Sequence, residues 1–295
     1  MQTWRYNLII PNSYEGKTVR DYLSQHLYLP KHLIFSLRRA QRVTVNKKYL
    51  PMNFKLHTGD QLHLEFRTSD FKNAHPKVIR DASSSVQVLF ENQDFLLVNK
   101  RRGYKTHPNQ PQEQGAVINF VAEYLKPNSP FIIHRLDQQT SGALLFAKSP
   151  AVVPALEYML REKIIQRTYL VWVRGRFLHE KGTITIPIGR DPNDQRKRMI
   201  NGIDSQPAVT HYQVQQSKND HSLLKVNLET GRTHQIRVHL ASLGHPVVND
   251  PLYDPQANLN QLMLLHSWKV KMPTPFYYES ITVTAPLPPE MKAIK

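Results

Sequence analysis

The sequence predicts an α+β protein: a large domain built on a mostly antiparallel mixed sheet flanked by helices, with a small basic α+β module ahead of it. Three observations carry that reading. Strand-sized apolar runs dominate residues 86–295, yet they alternate with helical patterns too irregularly for a doubly wound fold. Two short helical patterns followed by a small β-ribbon occupy residues 12–66. The charge is also uneven. The 295 residues hold 39 Lys+Arg against 23 Asp+Glu, a net of +16, and residues 1–80 alone hold 14 against 5. A surplus of that size favours polyanionic partners, nucleic acid first and anionic membrane second.

Taken in order, Thr18 to Leu29 carries apolar residues at Val19, Tyr22, Leu23 and Leu27, a helical period that Pro30 ends. A second helical pattern follows, with Leu33, Ile34 and Leu37 apolar. Lys31 opens it, and Arg38, Arg39 and Arg42 cluster at its C-terminal end. Cations there suit the helix dipole and make a phosphate grip. Residues 43–45 then read as a strand leading into a turn at Asn46. Thr58-Gly59-Asp60 reads as another turn, and Leu62, Leu64 and Phe66 alternate as a strand. Residues 67–85 are polar, with Pro76 and a Ser run, and read as a linker. Beyond it, strands are expected at 86–90, 95–99, 131–133, 143–147, 169–173, 183–188, 209–214 and 223–228. Helices are expected at 115–125, 151–162 and 233–243.

The chain contains no Cys, which excludes disulfides, thiolate nucleophiles and thiolate-bound metal or iron–sulfur sites. No apolar run approaches the ~20 residues that a membrane-spanning helix needs. The N-terminal apolar run is too short for a signal peptide. A soluble, cytoplasmic protein is therefore expected. His134, His234, His239 and His266 do not suggest a metal centre. His234 and His239 are not at the i, i+4 spacing of a helical ligand pair, and no His-Glu-x-x-His occurs.

Two segments carry the chemistry. In the first, an apolar strand ends at Ile133 and another begins at Ala143, and the polar loop between them presents Asp137. Gly142 allows close approach to another backbone, and Thr140 and Ser141 can hydrogen-bond within the loop. In the second, Thr233 after Gly231 is placed to cap a helix. Ile236, Leu240 and Leu243 share one side of it, and Gly244 ends it. Arg237 lies beside that apolar side, so its guanidinium needs a carboxylate or phosphate partner.

The N-terminal pattern over residues 12–66 resembles the S4-type RNA-binding domain, with Gln41 and Lys47 at positions where that family often has Gly. His134-Arg135-Leu136-Asp137-x-x-Thr140-Ser141-Gly142 resembles the signature loop of the RluA-type pseudouridine synthases. Gly231-Arg232-Thr233-His234-Gln235-Ile236-Arg237-x-His239 is similar to their C-terminal motif. Arg167-Thr168-Tyr169 with Gly175 resembles their tyrosine strand. Val98-Asn99-Lys100 with Gly103 and His107 resembles their first motif, although Arg101 and Arg102 stand where Pro and a small residue are usual.

The resemblance implies isomerisation of a uridine in RNA to pseudouridine. The N1–C1′ bond breaks, the base turns over and C5 bonds to C1′, with no cofactor. It makes Asp137 the nucleophile or ion-pairing carboxylate, at C1′ or at C6, and pairs it with Arg237. Tyr169 would stack on the base or move a proton at the sugar. Arg135 would fill the gap left by the everted nucleotide, and Leu265 would pack against the base. Candidate phosphate contacts are Lys31, Arg38, Arg39 and Arg42, with the run Arg196-Lys197-Arg198. Ribosomal RNA is the leading partner and transfer RNA a second; a monomer is expected, with no metal and no membrane contact. Two other classes fit parts of the pattern. A non-catalytic RNA-binding or ribosome-associated factor would leave the Asp–Arg–Tyr set unexplained. A glycoside hydrolase would need a second carboxylate beside Asp137.

Overall fold

The computed structural model describes residues 2–177 and 179–292. The chain opens on strand β1 (Thr3–Ile9). Helix α1 (Val19–Asp21) follows and runs on as a π-helical turn over Tyr22–His26; then come α2 (Lys31–Arg39), β2 (Val43–Val45) and β3 (Gln61–Arg67). Thr18 caps α1, its hydroxyl accepting from the Asp21 N–H. These strands form a three-stranded antiparallel sheet in the order β1-β3-β2. The sheet begins earlier than residue 12, because β1 pairs with β3 along its whole length. Its alternation of buried Tyr6, Leu8 and Ile10 with exposed Arg5, Asn7 and Ile9 is that of a half-buried strand.

The larger unit contains β4 (Val88–Glu91), β5 (Phe95–Lys100), α3 (Val117–Tyr124), β6 (Phe131–Ile132), β7 (Ser141–Ala147), α4 (Val153–Arg161) and β8 (Gln166–Arg174). It continues with β9 (Lys181–Ile184), β10 (Ile188–Arg190), β11 (Arg198–Ile200), β12 (Ile203–Gln206), β13 (Thr210–Lys218) and β14 (His221–Leu228). The last elements are α5 (Gln235–Ser242), β15 (Leu265–Pro273), β16 (Ser280–Thr284) and α6 (Pro289–Lys292). Its main sheet runs β4-β5-β7-β15-β8-β14-β13-β9, with β6 beside β7 and β16 beside β15. Among the described strands, β7 with β15 is the one parallel pair. The expected stretch 183–188 divides into β9 and β10. β10 leaves the main sheet to join β11 and β12 in a separate small ribbon. Pro187 stands at the break, where a proline cannot donate to a ladder.

The central strands are buried on both faces. Phe95, Leu97, Ala143 and Leu145 enter one core, while Leu96, Val98, Leu144 and Phe146 enter another. Two buried faces explain why these strands read as unbroken apolar runs instead of alternating ones. The first core also contains the N-terminal module: Tyr6, Leu23 and Leu27 join Ala155, Met159, Met272 and Phe276 in it. The Tyr6 hydroxyl meets Asp94 Oδ1 at 2.7 Å and Ser149 Oγ at 3.0 Å. Tyr28 stacks on Tyr158 with ring centroids 3.7 Å apart, and His26 on Tyr278 at 4.4 Å. The small module is thus welded to the back of the main sheet. The second core, with α3 and α5, lies on the opposite face, which carries the cleft.

Arg42 corrects the phosphate assignment made for it. Its guanidinium grips Asp70 with two 2.6 Å hydrogen bonds and is nearly buried, so it ties the sheet to the segment leaving it. A guanidinium saturated by a carboxylate has no fork left for phosphate. Lys31, Arg38 and Arg39 remain exposed.

Candidate active site

A cleft of about 810 Å³ opens between the β6–β7 loop, β8 and the start of α5, within the range typical of small-molecule sites. Asp137, Tyr169, Arg237, Arg135 and Leu265 all line it. The Asp137 side chain is 27% exposed, and Arg237 Nη1 donates to its Oδ2 at 3.2 Å. The sequence-predicted pair therefore meets across a separation of 100 residues.

Arg237 owes its position to Asp250, which sequence reasoning missed. Nε donates to Asp250 Oδ2 at 2.6 Å and Nη2 to Oδ1 at 2.7 Å. Asp250 is 0% exposed, and its Oδ1 also accepts from the Leu252 and Tyr253 N–H groups. Two of the guanidinium's faces are thus fixed, leaving Nη1 aimed into the cleft. Burial alone would lower the pKa of this guanidinium. The Asp250 carboxylate outweighs that effect, Asp137 adds to it, and the net shift is upward, so Arg237 stays charged. Tyr253 completes the setting, with the Arg237 guanidinium 5.0 Å from its ring centroid.

The loop bearing Asp137 is held mainly through its backbone. Lys100 Nζ donates to the carbonyls of Gln138 at 2.9 Å, Thr140 at 2.7 Å and Arg101 at 3.2 Å. Burial pushes this ammonium down to about 7, with Asp137 pulling the other way. Thr106 Oγ1 donates to the Leu136 carbonyl at 2.7 Å and accepts from the Leu136 N–H at 3.1 Å. The Gly103 N–H reaches the Gln138 carbonyl at 2.9 Å. The first motif is therefore the clamp of the Asp137 loop, a role its sequence did not reveal. The expected local bonds from the loop's own hydroxyls give way to a longer reach, since Ser141 Oγ meets His266 Nδ1 at 2.8 Å. Gly142 behaves as expected. Its φ is +106°, and a Cβ there would collide with the Ser267 backbone carbonyl.

Arg102, one of the two departures in that motif, has a structural account. Its nearly buried guanidinium donates to Glu290 Oε1 at 2.7 Å, fastening α6 against the clamp. Arg101 is exposed, and nothing in the structure explains it.

At the start of α5, Thr233 does not cap the helix. His234 occupies the cap with φ +59° and no side-chain cap bond. The preceding turn is held instead by Gln235 Oε1, which accepts from the Arg232 N–H at 3.0 Å and from Thr230 Oγ1 at 2.7 Å. A left-handed backbone at a non-glycine residue is strained, and such strain collects at functional sites. The His234 ring is held by the Tyr253 hydroxyl at 2.9 Å, with Nε2 4.0 Å from Asp137 Oδ2. Burial, opposed by Asp137, holds His234 down to about 4, so it is neutral at pH 7. Leu243 is exposed and not part of the buried side that Ile236 and Leu240 form.

Tyr169 is nearly buried, with its hydroxyl free of hydrogen bonds among the described residues. Leu265 is buried beside it on the paired strand β15. Arg135 is exposed at the rim. The run at 196–198 lies outside the cleft on the β10–β12 ribbon. There Arg196 pairs with Asp194, while the Arg198 N–H donates to the Tyr253 hydroxyl at 2.7 Å. This links the ribbon to the residue beneath Arg237.

The buried histidines set an expected acid limit. His134, at the head of the loop, accepts the Leu145 N–H at Nε2, and burial holds it down to about 3; burial holds His266 down to about 4. Both folded values lie below the ordinary histidine value. As pH falls below about 6.5 the unfolded chain therefore takes up protons that the folded chain refuses, and stability is lost. Two such groups together remove about 6 kcal/mol by pH 4, comparable to the whole stability of a domain. Denaturant titrations should show steep loss of stability between pH 6 and 4; equal midpoints at pH 7 and 4.5 would contradict this.

A family model described as RNA pseudouridylate synthase matches residues 94–242, and one described as the RluD ribosomal pseudouridine synthase N-terminal domain matches residues 6–62. A Bacillus subtilis protein described as an uncharacterized RNA pseudouridine synthase, YhcT, is 35% identical over 291 residues, covering 97% of this chain and 94% of the relative. Ribosomal large subunit pseudouridine synthase C of Pasteurella multocida is 31% identical over 301 residues, covering 97% and 92%. The solved structure of human RNA Pseudouridylate Synthase Domain Containing 1 superposes with a TM-score of 0.60 at 27% identity, covering 72% of this chain and 89% of that one.

Proposed function

The chain belongs to the RNA pseudouridylate synthase family, and from that premise we propose that the cleft around Asp137 isomerises uridines in ribosomal RNA, in the cytoplasm and as a monomer. The reaction class follows from the family: uridine in RNA is converted to pseudouridine. The observation that carries the site assignment is the Arg237–Asp137 contact at 3.2 Å inside an open cleft.

On this reading Asp137 supplies the negative charge that the reaction needs when the N1–C1′ bond breaks, either by bonding covalently or by pairing with the cationic sugar carbon. Arg237, fixed from behind by Asp250, holds the carboxylate in place without being able to drift toward solvent. Tyr169 and Leu265 form the wall against which the uracil ring rests while it turns over. The C5–C1′ bond then forms, and the proton from C5 leaves as N1 gains one, so atoms balance without a cofactor. The Tyr169 hydroxyl, unengaged beside the ring, is placed to move a proton at the sugar. An everted nucleotide leaves a gap in its helix, and Arg135 at the rim, with no hydrogen bond from its side chain among the described residues, is placed to fill it.

The ribosomal assignment draws on the relatives' printed names. Its test is to map pseudouridines in total cellular RNA incubated with the purified protein. New pseudouridine at discrete ribosomal sites is expected. Modification confined to transfer RNA would overturn the substrate class, and none anywhere would overturn the assignment of the cleft.

A further inference from the structure

We propose that helix α2 is a base-stacking platform that reads an unpaired nucleotide of the RNA, with Phe35 as the stacking residue. Lys31, Phe35, Arg38 and Arg39 lie on one side of α2, opposite the buried Leu33, Ile34 and Leu37. Phe35 is 57% exposed, and Tyr49, exposed to a lesser degree, donates through its hydroxyl to the Arg38 carbonyl at the helix end. The Arg38 guanidinium stands 6.0 Å from the Phe35 ring centroid. Lys31, Arg38 and Arg39 form no ion pair among the described residues, in contrast to the saturated Arg42. The side is therefore an exposed phenyl ring, with Arg38 near one face, set among three cations that have no acidic partner among the described residues.

Phosphate contacts alone need no aromatic ring, and an exposed Phe brings no solubility. A positive groove with an interposed ring is the arrangement that single-stranded nucleic acid binds: cations follow the backbone while a base lies on the π-face. A duplex offers the same charges but no free base face. Because the module shares a core with the catalytic unit, the nucleotide read by Phe35 sits at a set offset from Asp137. The inference rests on the RNA reading above and adds to it the kind of RNA presented, a loop or single strand at that offset.

The test compares the full-length protein with Phe35→Ala, Phe35→Trp and the double variant Arg38→Gln/Arg39→Gln. The probes are a single-stranded oligouridylate, an RNA duplex of the same length and heparin, a polyanion without bases. Phe35→Ala should bind the single strand about 10-fold more weakly, with duplex and heparin unchanged and the slope of log K against log salt unchanged. Arg38→Gln/Arg39→Gln should weaken all three and lower the single-strand slope by about 1.4. Phe35→Trp should keep wild-type affinity, and its added fluorescence should be quenched by the oligouridylate alone. Unchanged single-strand affinity in Phe35→Ala, an equal loss on heparin, or no quenching in Phe35→Trp would each overturn the proposal. These readouts involve no isomerisation. Correct binding with no pseudouridine would leave the platform standing while the assignment of the cleft fell.

Discussion

Asp137→Asn should lower pseudouridine formation by at least about 10³-fold while leaving affinity for the same RNA within about twofold. The substitution keeps size and shape and removes the charge. A neutral amide can neither bond covalently at the sugar or base nor stabilise a positive carbon. The rest of the site survives the change. The loop is clamped through backbone carbonyls by Lys100 and through Leu136 by Thr106, not through the Asp137 carboxylate. Arg237 keeps its two bonds to Asp250. The cations on α2 lie on a different element and are untouched. Single-turnover conversion, read beside filter binding, separates the two quantities. Turnover near wild type would remove Asp137 from the mechanism, and a parallel loss of binding would show that its role is to hold RNA.

How far this was legible follows from what each residue's neighbours are. Helix α2 and strand β3 were readable because one side of each faces the core, which writes a period into the sequence. The stretches at Phe95 and Ala143 were readable as strands from their length and flanking turns, although burial on both faces erased the alternation. β1 was missed even though Tyr6, Leu8 and Ile10 alternate with exposed neighbours, because its partner β3 lies more than fifty residues downstream. Arg42 was assigned to phosphate because a basic cluster in sequence looks uniform; only the fold shows that Asp70 takes one of its members. Asp250 was invisible for a related reason. A single carboxylate in a turn has no period, and its meaning lies wholly in the guanidinium it faces. The motifs themselves named the loop, the tyrosine and the arginine, but the clamp by Lys100 and Thr106 is a tertiary fact that spacing does not encode.

The second large effect is expected at Arg237, where fold and chemistry can be taken apart. Arg237→Met should destabilise the protein by about 3–5 kcal/mol, because it strands a carboxylate that is 0% exposed at Asp250. It should also abolish turnover, so the single variant alone cannot distinguish a lost catalytic contact from a loosened fold. Arg237→Met/Asp250→Asn removes the stranded charge. The Asn carbonyl can still accept from the Leu252 and Tyr253 N–H groups that Asp250 Oδ1 holds. The double variant should therefore recover most of the lost stability in urea titrations, since breaking a buried ion pair costs far more than replacing both partners. Turnover should not return, because Asp137 would still lack the N–H donor aimed at it. Two results would refute this account. If Arg237→Met unfolds at the wild-type urea midpoint, the pair with Asp250 is not what anchors the guanidinium. If the double variant regains activity along with stability, then Arg237 serves the fold alone and Asp137 works without it.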